Sequence, residues 1–218
     1  MTLNPGEISL VIAGAWNPAI LTPAWVLQFG LNRPGSNEPV QIAVPASTSG
    51  IFEFPRFTLP EFTYIVRPDT LIMTPPNGAP EAIARMEDAA AAMLDSLQHT
   101  PVNGVGHNFE FRDVNPDPNK LGVFTIASQD IADEAPEGWT SSGTMIASSF
   151  RCANGSTIAN VQRQFDGANI IIKFNFHHPL TAVQQALDVL RGQNHHARME
   201  QSFQIARNLM TNLYGPIQ

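Results

Sequence analysis

The hydrophobic pattern predicts the same arrangement, a strand hairpin followed by an amphipathic helix, at two places in the chain. In the first place, apolar and β-branched residues fill residues 61–66 and 71–74, on either side of a turn at Pro68-Asp69. Apolar residues then recur at three- and four-residue spacing through residues 80–97, which is typical of a helix with one buried face. The proline that opens this segment suits the first turn of a helix.

The second place lies in the C-terminal part of the chain. Residues 144–152 and 157–164 have strand character and are separated by an Asn-Gly pair, a strong hairpin signal. An Asp-Gly turn leads on to a third strand at residues 170–176. Apolar spacing then predicts a short helix at residues 180–190 and a long amphipathic helix at residues 197–214.

This repetition predicts an α+β fold built from two pseudo-equivalent halves. Each half would consist of antiparallel strands or hairpins followed by a long amphipathic helix packed on the sheet. The acidic segment at residues 130–138 is the best candidate for a boundary, which gives an N-terminal half at residues 1–129 and a C-terminal half at residues 130–218. One single compact domain is the alternative, because the chain is short enough to bury a single core.

Three further segments have strand character. Residues 8–15 predict a buried strand, and residues 123–126 predict a short one. Residues 102–112 alternate in polarity, so His107 and Glu110 should point to opposite faces of their strand. We therefore do not expect these two residues to act as an acid–base pair.

Charge and composition argue against nucleic acid as a partner. The formal net charge is −7, the pI is near 5.2, and the 12 Lys and Arg residues form no cluster that could neutralise phosphates. Only 14% of the residues are charged, against roughly 25% in typical soluble domains. A surface with few charges favours another protein, or self-association, and we expect exposed aromatic residues between Phe52 and Phe62 to take part.

The single cysteine, Cys152, excludes an intrachain disulfide and needs no oxidising compartment. We expect it to be an ordinary strand cysteine. The N-terminal residues have no basic segment, and the apolar stretch after them is interrupted by Gly14, Asn17 and Pro18. We therefore expect no signal peptide, no membrane span and a cytoplasmic location.

Two stretches resemble segments of a widespread family of uncharacterised bacterial proteins of similar length. The first contains Asn-Pro-Ala-Ile at residues 17–20 and Pro-Ala-Trp at residues 23–25. The second contains His-Thr-Pro-Val at residues 99–102 and Gly-His-Asn-Phe at residues 106–109. The resemblance implies a bacterial origin and a recurring fold. That family has no assigned activity, so the resemblance implies no catalytic residue.

The histidine pairs His177-His178 and His195-His196 are candidates for a transition-metal site. Adjacent residues on a strand point to opposite faces, so each pair can supply one ligand at most. His178, His195 and Glu200 would be the members of such a site. The pattern favours surface or loop histidines instead, and we expect no metal, no cofactor and no catalytic residue.

Three functions from different classes remain open. The first and preferred one is a non-enzymatic protein-interaction or scaffold module of a bacterial multi-protein system, with defence, toxin control and phage-related assembly as candidate settings. The second is a small-molecule binder with an apolar cavity, and the third is a metal-dependent hydrolase that uses the C-terminal histidines. The cavity of the second hypothesis would be lined by Trp16, Trp25, Met93 and Phe109.

Overall fold

The protein folds around one antiparallel β-sheet that extends from its N-terminal to its C-terminal region. The structure, a computed structural model, describes residues 1–44 and 54–217. Within these residues the sheet has ten strands, ordered β3-β4-β5-β6-β2-β7-β10-β9-β8, with β1 paired beside this path to β7. The strands are β1 (Thr2–Leu3), β2 (Ser9–Gly14), β3 (Gln41–Ala43), β4 (Arg56–Thr58), β5 (Thr63–Arg67), β6 (Thr70–Thr74), β7 (Val102–Val114), β8 (Thr144–Arg151), β9 (Ile158–Phe165) and β10 (Asn169–Pro179).

Five helices accompany the sheet in the described ranges. They are α1 (Pro23–Trp25), α2 (Pro80–Ser96), α3 (Gly122–Asp133), α4 (Val183–Arg191) and α5 (Met199–Tyr214). The short α1 continues directly into a π-helical turn at Val26–Gly30. None of the helices in this part of the chain combines the length and the hydrophobicity that a bilayer crossing requires.

The main core lies between the central strands and three of the helices. Helices α4 and α5 contact β7, and α2 packs against both of them. On the side of β7 that faces these helices, Val105, Phe109 and Phe111 are buried, and Phe203 of α5 stacks on both phenylalanines. We call this side of the sheet the helix face and the other side the open face.

Several elements predicted from the pattern are confirmed. The first hairpin corresponds to β5 and β6, and the helix after it is α2, whose buried residues recur at the predicted spacing. The C-terminal pattern is confirmed in β8, β9 and β10 and in the helices α4 and α5. The fold is therefore a mixed α+β fold with antiparallel strands, as expected.

The strand predicted at residues 123–126 is wrong, because these residues belong to α3. A short apolar run does not distinguish a strand from one turn of a helix. Here the run is helical and anchored by Phe124, which is buried and lies 6.0 Å from Phe165 between ring centroids. The proposed boundary between residues 129 and 130 also lies within α3.

The expectation of exposed aromatic residues between Phe52 and Phe62 is also wrong where the structure describes them. Phe62 is buried, and Phe57 is partly buried because it stacks on Tyr64 at 5.0 Å between ring centroids. Phe52 lies outside the described residues. Among the described residues, exposed large apolar side chains are found around α3 and β8, and others lie on β3 and on α5.

The stacking of Phe203 on the central strands gives a direct test of the core. Phe203→Ala should lower the free energy of unfolding by about 3–5 kcal/mol, because it removes a buried aromatic ring and leaves a cavity against Phe109 and Phe111. Chemical denaturation of the purified protein measures this change. Ile205→Ala on the same helix is the matched control, since Ile205 is 47% exposed and its loss should cost much less. Equal effects of the two changes would contradict the packing described for α5.

Candidate functional site

Three histidines lie in a row at the edge of the core. His107 on β7 and His178 on β10 are both fully buried on the helix face. Their ring centroids are 5.0 Å apart, and His196, in the loop before α5, follows at 5.5 Å from His178. The sheet thus brings together His107 and His178, which stand 71 positions apart in the sequence, through the pairing of β7 with β10.

Each buried histidine has one nitrogen with a protein partner and one without. His107 Nδ1 lies 3.0 Å from Ser202 Oγ, and His178 Nδ1 lies 3.2 Å from Thr157 Oγ1 and 3.4 Å from His196 Nδ1. In the part of the chain that the structure describes, the Nε2 atoms of His107 and His178 are buried with no hydrogen-bond partner. A buried ring nitrogen without a hydrogen-bond partner costs less free energy when the ring is neutral than when it is charged.

The pKa values follow from this burial. The pKa of His107 lies well below its ordinary value. Burial of the ring is the larger cause, and the nearby ring of His178 is the smaller one. Burial, and then the rings of His196 and His177, lowers the pKa of His178 to about 4. Both buried histidines are therefore neutral at neutral pH, and neither is poised to exchange a proton there.

The predicted metal candidates are dispersed rather than assembled. His178 is buried on a strand, which corrects the preference for surface or loop histidines at this position. His195 is exposed and has a positive φ of 68°, and Glu200 is exposed in the first turn of α5. It is His196, not His195, that contacts His178. Within residues 1–44 and 54–217, no group of three His, Cys, Asp or Glu side chains could hold a metal ion.

Cys152 lies just after β8, in the turn that leads to β9, and its side chain is exposed. Its Sγ donates to Asn154 Oδ1 at 2.7 Å and accepts the backbone N–H of Thr157 at 3.0 Å. Burial raises the pKa of the thiol, but hydrogen bonds from Ser156 and Thr157 outweigh it and hold the pKa below its ordinary value. These contacts are typical of a well-formed turn, and none of them places a basic side chain within hydrogen-bond distance of the sulfur.

The open face of the sheet carries a continuous row of polar side chains that crosses five neighbouring strands. Asn175 on β10 donates to Asn108 Oδ1 at 2.8 Å and accepts from Asn160 at 3.1 Å. At one end of the row, Asn108 Nδ2 donates to Ser9 Oγ at 3.2 Å. At the other end, Ser149 Oγ on β8 donates to Asn160 Oδ1 at 2.6 Å. Because these side chains bond one another, the row stabilises the sheet and leaves few polar groups for a ligand.

The free edge of the sheet is the most distinctive surface of the described chain. Among the described residues, strand β8 pairs with β9 alone, so the backbone groups along its other side have no strand partner there. Large apolar side chains surround this edge and are between 60% and 75% exposed: Ile126, Ile131, Trp139, Met145 and Phe150. We call this set of residues, together with the free side of β8, the α3–β8 surface.

The α3–β8 surface exists because α3 buries only one of its side chains in the core. Phe124 is the one buried residue of this helix, while Ile126 and Ile131 point to solvent. The helix and the segment after it leave a groove of about 360 Å³ against the start of β8, lined in part by Ile131, Trp139 and Met145. Exposed apolar patches of this kind are typical of protein interfaces.

Charge is distributed unevenly along this edge. Four exposed acidic residues precede β8, at the end of α3 and in the following segment: Asp130, Asp133, Glu134 and Glu137. Strand β8 itself has no acidic residue and one basic residue, Arg151, at its C-terminal end. No salt bridge in the described residues involves any of these five side chains. The edge therefore has an acidic end and a basic end.

The residues of the family resemblance lie close together, and they have structural roles. The N–H of Ala15, just before residues 17–20, donates to the carbonyl of Pro101 at 2.9 Å. Gly14 allows this approach, because a Cβ there would lie 2.4 Å from the Pro101 oxygen. Neither a family model nor a curated protein matches this chain.

The sequence pattern did not predict the α3–β8 surface. It predicted a strand at residues 123–126 rather than the helix α3, whose exposed apolar residues form part of that surface. The available signal was the run Thr144–Arg151, in which seven uncharged residues precede one arginine. Natural edge strands usually carry charges that prevent pairing, so an uncharged edge indicates an interface.

The buried histidines predict a measurable dependence of stability on pH. Because the pKa of His178 is lower in the folded chain than its value of about 6.5 in the unfolded chain, the unfolded state binds the extra proton and stability falls as the pH drops from about 6.5 to about 4. His178→Asn removes this contribution. The stability difference between wild type and this variant should therefore narrow by about 1.4 kcal/mol for each pH unit below 6.5.

Urea denaturation at a series of pH values measures this difference. Comparison with one variant isolates His178 from the other titrating groups, including Glu87, whose pKa burial raises to about 7. His195→Asn is the matched control, because His195 is exposed. A difference between wild type and His178→Asn that stays constant with pH would contradict a neutral, buried His178.

Proposed function

We propose that this chain is a non-enzymatic protein-interaction module that binds a strand of another protein chain along the α3–β8 surface. It would act as a scaffold in a bacterial multi-protein system in the cytoplasm, with defence, toxin control or phage-related assembly as candidate settings. The observation that carries the proposal is the uncharged, unpaired edge of β8 between exposed apolar side chains.

Addition of a strand to a sheet edge uses backbone hydrogen bonds for affinity and side-chain contacts for specificity. Strand β8 offers eight residues for such pairing, whereas β3, at the opposite edge, has three described residues. Each strand residue that gains a partner satisfies a backbone group that otherwise bonds only to water. A long edge with no proline and a single charge favours pairing strongly.

The apolar side chains around β8 supply the second contribution. Burial of one large apolar side chain contributes about 1.5–3 kcal/mol. Trp139 and Ile131 are both 74% exposed, and Met145 is 64% exposed. Covering several such side chains at once offsets the loss of translational and rotational freedom on association, which costs about 4–15 kcal/mol. A strand partner with apolar flanks would satisfy both requirements.

The two alternative functions have less support. Of the residues expected to line an apolar cavity, Trp16, Met93 and Phe109 are core side chains, and Trp25 is partly buried with Phe29 at 4.9 Å between ring centroids. Core packing accounts for these four residues without a ligand. A hydrolase would need a metal or an activated nucleophile, and the histidine row provides two neutral buried rings instead.

We further infer that the two halves derive from one duplicated unit. In the first, β4, β5 and β6 are consecutive neighbours and are followed by α2. In the second, β8, β9 and β10 are consecutive neighbours and are followed by α4 and α5. These two meanders lie on opposite sides of the adjacent pair β2 and β7 in the strand order, which supports the inference.

Variants at the α3–β8 surface test the proposed function. Trp139→Ser combined with Ala147→Lys should reduce co-purification of the protein partner from the native host at least tenfold, because the change removes an apolar contact and adds an edge charge. Both residues are exposed, so stability should change by no more than about 0.5 kcal/mol. Quantitative mass spectrometry of the purified complexes measures the change.

Ile42→Ser is the matched control for this experiment. Ile42 is 59% exposed and lies on β3, at the opposite edge of the sheet. The Ile42→Ser change removes a similarly exposed apolar side chain and leaves the α3–β8 surface unchanged. Equal recovery of the same partner with the double variant, the control and the wild type would rule out β8 as the docking edge.

A further inference from the structure

We propose that the chain that pairs with β8 is a second copy of this protein, joined antiparallel about a two-fold axis perpendicular to the sheet near Ala147 and Ser148. This inference rests on the proposed function and specifies its partner. The resulting dimer would extend one sheet across both copies. Three features of the edge support this occupant, namely its charge distribution, the match of its two faces and its length.

The charge distribution of the edge is self-complementary. In an antiparallel pair, the C-terminal end of one β8 meets the N-terminal end of the other. Arg151 of each copy would thus lie beside the acidic residues that precede β8 in the other copy, of which Glu137 is the nearest in sequence. At each end of the interface, the arginine of one copy would meet the acidic residues of the other copy. Neither group has an ion-pair partner among the described residues of the single chain. A parallel pair would instead place like charges side by side.

The side chains of β8 also match across such an axis. Residues directly opposite each other in an antiparallel pair point to the same face. An axis through Ser148 places Ile146 of one copy opposite Phe150 of the other, both on the helix face. Phe150 is 60% exposed in the single chain, and this contact would cover it. The open face would receive the opposed pair Met145 and Arg151, whose long side chains can pack along each other.

The length of the edge suits a closed dimer. Seven of the eight residues of β8, residues 145–151, would pair with the same segment of the other copy in one continuous antiparallel ladder. Because the contact is isologous, the two copies occupy each other's edge and leave no further β8 edge for a third chain. Pairing of this kind explains how an uncharged edge strand is kept from open-ended aggregation.

A designed disulfide tests the position of the axis. Residues opposite each other at the centre of the pair have Cβ atoms about 4.5–5.5 Å apart, close enough for a disulfide after small adjustments. In a Cys152→Ser background, Ser148→Cys should give a cross-linked dimer under mild oxidation, because the two copies of residue 148 would lie opposite each other. Thr144→Cys is the matched control, because its two copies would lie about eight residues apart along the ladder, which is roughly 26 Å.

The wild-type protein provides an internal control. Cys152 is exposed, yet its copies would also lie far apart along the ladder, so we expect no disulfide dimer without the designed cysteines. Light scattering during gel filtration should give a mass twice the 23.7 kDa of one chain. The variant with Trp139→Ser and Ala147→Lys should shift to the single-chain mass, while Ile42→Ser should remain dimeric.

Three results would overturn this inference. The first is a single-chain mass for the wild type at every accessible concentration. In that case, the co-purification experiment decides separately whether a different protein binds the β8 edge. The second is a dimer that resists the edge variant and is lost with Leu209→Ser, because Leu209 belongs to an exposed apolar stripe on α5 together with Ile205 and Leu213. Cross-linking at Thr144 but not at Ser148 would exclude the antiparallel axis.

Discussion

The pairing of β7 with β10 is the interaction on which the rest of the structure depends. It joins strands from the two predicted halves, in register from Gly104 with Pro179 to Val114 with Asn169. On the helix face it forms the aromatic layer that holds α5, and on the open face it sets the polar row. A shift of one residue would exchange these faces, so the register is specified on both sides of the sheet.

The same pairing creates the buried histidine row, and a second buried group fixes the loop beside it. Glu87 of α2 accepts the N–H of Met199 at 2.8 Å and the Arg198 Nε–H at 3.2 Å. These bonds hold the start of α5, and with it the loop that carries His196, against the core. Buried polar groups that are satisfied in this way specify one arrangement of the helices on the sheet.

The two edges of the sheet differ in a way that relates the fold to function. Residues near β3 carry the Arg33 ion pairs with Glu38 and Glu61 at 2.9 and 2.6 Å. No ion pair of the described residues involves β8, and its apolar flanks remain in solvent. An edge of this kind raises the risk of aggregation unless a partner covers it. In the proposed dimer, the self-complementary edge would limit that risk because two copies would close on each other.

The sequence by itself determined the regular elements, because periods of two and of three to four residues follow from local backbone geometry. It predicted α2, α5 and the strands of the C-terminal meander, and it placed His107 and Glu110 on opposite faces. Tertiary structure alone decided that His178 is buried and close to His107, since that proximity depends on strand pairing. It also decided that Ile126 and Ile131 of α3 stay exposed while Phe124 is buried. Burial depends on which elements lie next to each other, and a local pattern carries no such information.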